Sequence, residues 1–171
     1  VVVANDMALN WVYLNEGQGQ FERAWPVGPE VEPTRSARLH DLDGDGDLDL
    51  LVTNRGASNG LFLNDGSGRF GPKREFGEPE GSTIEVAVGD VDGDGRIDLL
   101  DKGHWWRQPK SLEEDPSWGE YRFQFTAPGG ADMFAYDFDG DGDNDIYTSA
   151  AAHSYGLTWF EQADGESGKK I

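Results

Sequence analysis

The chain has 171 residues and a formal net charge of −19, with 33 acidic side chains against 14 basic ones. With no basic stripe, it lacks the Lys and Arg clusters on which phosphate recognition depends, so a nucleic-acid partner is excluded. No stretch approaches the roughly 20 apolar residues of a bilayer-spanning helix. The absence of Cys rules out disulfides, and three His leave little basis for a zinc or soft-metal site.

Read in chain order, short apolar and β-branched runs predict an all-β chain in which strands recur as A, B, C and D within each unit. The first unit, 1–27, holds B at 1–4, C at 11–15 and D at 21–26. The second, 28–78, holds A at 36–40, B at 48–53, C at 61–64 and D at 70–76. The third, 79–127, holds A at 84–89, B at 97–102, C at 104–107 and D at 122–126. The fourth, 128–171, holds A at 133–137, B at 145–149 and C at 157–162.

Between strands A and B of the last three units stands one nine-residue pattern, Asp-x-Asp-Gly-Asp-Gly-x-x-Asp, beginning at Asp41, Asp90 and Asp137. Fourteen of the 33 acidic residues lie in these loops, a density that needs a cation among them. Calcium suits them, since it takes about six to eight oxygens in flexible geometry, whereas magnesium prefers octahedral shells and keeps its waters. Three calcium sites are expected. The side-chain ligands are Asp41, Asp43, Asp45 and Asp49; Asp90, Asp92, Asp94 and Asp98; and Asp137, Asp139, Asp141 and Asp145. Position 7, which is Asp47, Arg96 or Asp143, offers its backbone carbonyl, because Arg96 has no side-chain ligand to give. Glycines at positions 4 and 6 supply the positive φ that wrapping an ion requires. An EF-hand is the rival. It needs a bidentate Glu at position 12, where this chain has Val52, Asp101 and Thr148, and strand-like runs rather than helices follow each loop.

Similarity extends past the loops. Leu50-Leu51-Val52-Thr53-Asn54 followed by Gly60-Leu61-Phe62-Leu63-Asn64-Asp65-Gly66-Ser67-Gly68-Arg69-Phe70 is echoed by Val1-Val2-Val3-Ala4-Asn5 and Trp11-Val12-Tyr13-Leu14-Asn15. These residues resemble the FG-GAP/VCBS family of calcium-binding blades, also found in integrin α-subunits. The resemblance implies a β-propeller of four-stranded antiparallel blades, with polysaccharide or protein partners. It is looser in the third and fourth units, after Trp105-Trp106. About three and a half blades are counted, whereas propellers have about four to eight. A piece of a longer polypeptide, or two copies that self-associate to close a seven-bladed ring, would account for that number.

Three functions follow as expectations. The first is a non-catalytic calcium-stabilised module for adhesion, recognition or assembly. It would work outside the cell, on its surface or in the periplasm, where calcium is abundant. The second is a carbohydrate-active enzyme on a propeller scaffold, and the third is a structural subunit of a larger complex. No catalytic constellation is present. On the face opposite the metal loops, His104, Trp105, His153 and Tyr155 are the residues best suited to hold a ligand. Recurrence of aromatics at Tyr13, Phe62 and Trp159 favours a packing role for most of the rings.

Overall fold

A computed structural model of the chain describes residues 1–126, 132–150 and 156–162. His153 and Tyr155 lie outside them. Among the described residues all regular structure is strand, and no helix is long and apolar enough to cross a membrane. The chain divides into two units, Val1–Ile84 and Glu85–Ile171.

The first unit contains two antiparallel sheets. The smaller is ordered β1 (Val2–Val3), β3 (Trp11–Tyr13), β4 (Ala24–Pro26). The larger is ordered β2 (Asp6–Ala8), β5 (Glu32–His40), β6 (Asp49–Asn54), β7 (Asn59–Phe62), β8 (Arg74–Phe76). Every residue of β6 is buried, which explains its unbroken apolar run: a central strand covered on both faces needs no alternation. Leu50, Val52 and Phe62 pack with Val12 and Val27 to form the core between the two sheets. Each such side chain contributes roughly 1.5–3 kcal/mol by leaving water.

The second unit repeats the arrangement. One sheet is ordered β12 (Gly119–Arg122), β11 (His104–Arg107), β10 (Asp98–Leu100), β9 (Ala87–Gly89). The other runs β13 (Met133–Tyr136), β14 (Asp145–Ser149), β15 (Leu157–Phe160). Ala87, Leu100, Phe125, Met133 and Ile146 form its core. At Gly89 a Cβ would lie 2.6 Å from the Ala135 Cβ, so only glycine permits this approach of β9 to β13.

Two strand expectations need correction. The D strand of the third unit is Gly119–Arg122 rather than 122–126, and it pairs with β11 from His104↔Arg122 to Arg107↔Gly119. All four of its residues are exposed, so no apolar pattern marks it. The apolar Phe123 and Phe125 that suggested a strand instead turn their rings onto Phe160, with centroids 5.5 and 5.6 Å away. The second correction is β2, which adds to β5 at the sheet edge across a stretch read as loop. Its sequence, Asp-Met-Ala, has no alternation, and Met7 adopts φ 59°.

Candidate metal centre

Strands A and B of a blade are antiparallel neighbours, β5 with β6, β9 with β10 and β13 with β14. Each Asp-Gly loop is the hairpin connection between such a pair. Positive φ at Gly44 (79°) and Gly46 (93°), repeated at the matching glycines of the other two loops, curls the chain around its own carboxylates. Asp41 Oδ1 and Oδ2 accept the N–H groups of Gly44 and Gly46 at 2.8 and 3.1 Å. Asp137 does the same with Gly140 and Gly142 at 2.7 and 3.1 Å. In the middle loop the pattern shifts, and Asp90 takes the N–H groups of Asp94 and Gly95 at 3.0 and 2.8 Å.

This curling brings positions 1, 3 and 5 together. Ligand oxygens of Asp41, Asp43 and Asp45, of Asp90, Asp92 and Asp94, and of Asp137, Asp139 and Asp141 lie within 4.8 Å of one another in each loop, as a metal site requires. Convergence has an electrostatic consequence. Burial, with the charges of Asp45 and Asp41 beside it, pushes the Asp43 carboxyl above its usual range, against the Asp45 N–H that lowers it.

Position 9 has a different setting. Asp49, Asp98 and Asp145 are 0 %, 0 % and 1 % exposed. Asp49 Oδ2 accepts Leu42 N–H at 2.9 Å, and Oδ1 accepts Asn64 N–H at 2.8 Å. Asp98 accepts Val91 N–H at 3.2 Å and Gln108 N–H at 2.8 Å, and Asp145 accepts Phe138 N–H at 3.3 Å and Gln162 N–H at 2.9 Å. One carboxylate thus ties position 2 of its own loop to the end of strand C. Burial pushes the Asp98 carboxyl up to about 6, despite the N–H donors of Gln108 and Trp105. A carboxylate has further lone pairs, so these bonds leave acceptor capacity for a cation.

The loops differ in their surroundings. Arg96 and Arg107 reach back onto the middle loop, with Arg107 Nη2 2.9 Å from Asp94 Oδ2 and its Nε against Asp92. Arg96 also pairs with Asp94, and its Nε donates to the Gln108 carbonyl at 3.3 Å. Burial works against the Asp94 charge, yet the hydrogen bond from Arg107 and the neighbouring Arg96 hold its carboxyl below the usual range. Among the described residues no Arg or Lys pairs with positions 1, 3 or 5 of the other two loops. Consecutive loops of the second unit are also joined: Asn144 Nδ2 donates to the Asp90 carbonyl at 3.0 Å.

On the opposite edge of the sheets, the B–C connections Asn5 to Asn10 and Asn54 to Asn59 are internally satisfied. Asn10 Oδ1 accepts Asn5 N–H at 2.8 Å and Asn59 Oδ1 accepts Asn54 N–H at 3.0 Å. Asn10 and Asn59 donate onward to Thr34 and Thr83, each at 3.0 Å. The sequence held this Asn-x-x-x-x-Asn repeat in plain view, and its role is to close the loop. Trp105 donates to Asp98 at 3.0 Å and stacks on Tyr121 with centroids 4.6 Å apart. His104 stacks on Trp106, and its Nδ1 lies 3.1 Å from the buried Asp101 Oδ1. Beside it lies a cavity of about 350 Å³, lined in part by Lys102, Arg122, Phe123 and Gln124.

Antiparallel sheets, with Asp-Gly hairpins between neighbouring strands recurring at 41, 90 and 137, define a repeat protein of the propeller-blade type. The FG-GAP-like repeat family matches residues 1–52 and again 41–100, and the chain belongs to that family. No curated protein matches it. Among solved structures, it is similar to the V. cholerae biofilm matrix protein Bap1 at 17% identity and a TM-score of 0.47, over 96% of this chain and 34% of that one. The chain therefore spans about a third of that structure's length.

Proposed function

We propose that this chain is a non-catalytic, calcium-binding repeat module for recognition, adhesion or assembly. The observation that carries the reading is the convergence of three Asp oxygens to within 4.8 Å in loops whose hard, all-oxygen donors suit calcium. The carboxylates of positions 1, 3, 5 and 9, with the position 7 carbonyl, would hold the ion. Bound calcium would supply positive charge that offsets the repulsion among the carboxylates gathered around it. The protein's own residues do the rest: glycines curl the loop, and the position 9 Asp fixes it to strand C.

Such a module suits compartments where calcium is abundant, at the cell surface, outside the cell or in the periplasm. Its partner would be a polysaccharide, a protein or further chains of an assembly, a second copy included. Calorimetric titration of the chelator-treated chain with calcium tests the reading. Saturable binding is expected, and a flat titration across micromolar to millimolar calcium would sink it.

A second reading rests on the Asp101–His104 pair beside the cavity. Buried Asp101 fixes the His104 ring, as an acid or base would need. His104 and Trp105 would then take part in carbohydrate binding or cleavage. A panel of polysaccharides assayed with wild type and His104→Ala decides this. Product release that the substitution abolishes would establish an enzyme, and inactivity throughout would favour the binding module.

A further inference from the structure

The three loops share a pattern but not a charge balance. Loops 41–49 and 137–145 each contain five carboxylates, whereas loop 90–98 contains four and one guanidinium. A second guanidinium, Arg107, comes from strand C. By strand register, Leu99 faces Trp106, Leu50 faces Phe62 and Ile146 faces Phe160. The residue after each partner is therefore Arg107, Leu63 or Glu161. Position 7 is Arg96, Asp47 or Asp143 in the same order. Both departures fall in one blade, and both side chains converge on Asp94, with Arg107 also reaching Asp92.

We propose that Arg96 and Arg107 are the resident counter-cations of loop 90–98, so that this loop needs no calcium and the chain takes up two ions rather than three. The inference rests on the calcium reading of the other loops. Two guanidiniums hold Asp94 Oδ2 and one holds Asp92, whose side chains are only 17% and 13% exposed. Asp92 Oδ1 and Arg107 Nε are buried without a hydrogen bond, so Arg107 holds Asp92 by charge through its ion pair with Oδ2. Calcium gathers roughly six to eight oxygens, and here the guanidiniums already occupy oxygens of Asp92 and Asp94 that it would need. Arg96 is held in place from outside the loop by the Gln108 carbonyl. Four Asp and one Arg give loop 90–98 a net charge of −3, against −5 in each of the other two, so its pull on a cation is the weakest of the three. A calcium ion would have to expel both arginines from positions they already neutralise. At positions 1, 3 and 5 of loops 41–49 and 137–145 no described Arg or Lys is paired with the carboxylates.

Native mass spectrometry of the full chain in calcium-containing volatile buffer tests this. Wild type should carry two ions, and R96D/R107L, which restores the residues of the second blade, should carry three. Asp92→Asn should leave the wild-type count at two, while Asp43→Asn should lower it by one. Three ions on wild type, or a folded R96D/R107L that still carries two, would overturn the inference and leave the calcium reading intact. If R96D/R107L does not fold, loss of an ion in Asp92→Asn overturns it just as well. If no variant binds calcium, the calcium reading itself fails. The arginines are then judged by melting in EDTA. A fall of several degrees for Arg107→Gln keeps them as counter-cations, and an unchanged melt removes that role.

Discussion

Asp49 Oδ1 accepts the backbone N–H of Asn64 at 2.8 Å, from fifteen residues further along the chain. The same oxygen–amide pairing recurs at Asp98 with Gln108 and at Asp145 with Gln162. Position 9 is therefore a latch between the loop and strand C. Asp49→Ala strands two N–H donors, the buried one of Leu42 and the half-buried one of Asn64, and should cost about 3 kcal/mol in metal-free buffer. Exposed Asp45→Ala should change stability by less than about 1 kcal/mol under the same conditions. Urea unfolding in EDTA makes the comparison. Equal losses would remove the latch.

Calcium removal should lower the melting temperature. Each ion present at about 100 times its dissociation constant adds roughly 2.7 kcal/mol to the folded state. Circular-dichroism melts in millimolar calcium and in EDTA give the shift. Superimposable curves would mean that the loops order themselves without metal.

Gly89 tests the packing of β9 on β13. Gly89→Ala places a Cβ 2.6 Å from the Ala135 Cβ and should destabilise the second unit by about 1–3 kcal/mol. Ala135→Gly should restore most of that loss in the double variant, because it reopens the same space. Additive losses in the two variants would show that the close approach is not the cause.

Asn59 is the equivalent test at the opposite edge. Its carbonyl accepts Asn54 N–H and its amide donates to Thr83, both at 3.0 Å and buried. Asn59→Ala should cost about 2–3 kcal/mol in chemical denaturation. A neutral result would reopen these connections as solvent-facing loops able to serve a ligand.

The elements that were legible in the sequence are those whose pattern is local. Strands His104–Arg107 and Asp145–Ser149 have the bounds that their apolar runs predict, and both flank a loop whose Asp and Gly spacing is unmistakable. What escaped depended on partners distant in the chain. Gly119–Arg122 is a strand because β11 lies beside it, and its own residues, all exposed, show nothing of that. Phe123 and Phe125 look like strand residues, yet Phe160 draws them into a core. At the candidate site, position 9 reads as one more acidic ligand, because spacing cannot tell a carboxylate aimed at an ion from one aimed at amides. Arg107 gave no signal at all. It is an ordinary strand residue until β11 folds back along β10 and brings its guanidinium to Asp92 and Asp94.

The Asn144 amide on the Asp90 carbonyl bears on how such chains are taken apart and rebuilt. Position 8 of the other loops is Leu48 or Ile97, neither of which can donate a side-chain hydrogen bond. The last loop is thus the one of the three whose position 8 side chain can tie it to the loop before it. The acceptor is a main-chain carbonyl, which every such loop has at position 1, so the specificity lies in the donor alone. A designer who shuffles these repeats would carry the joint with a single Asn at position 8.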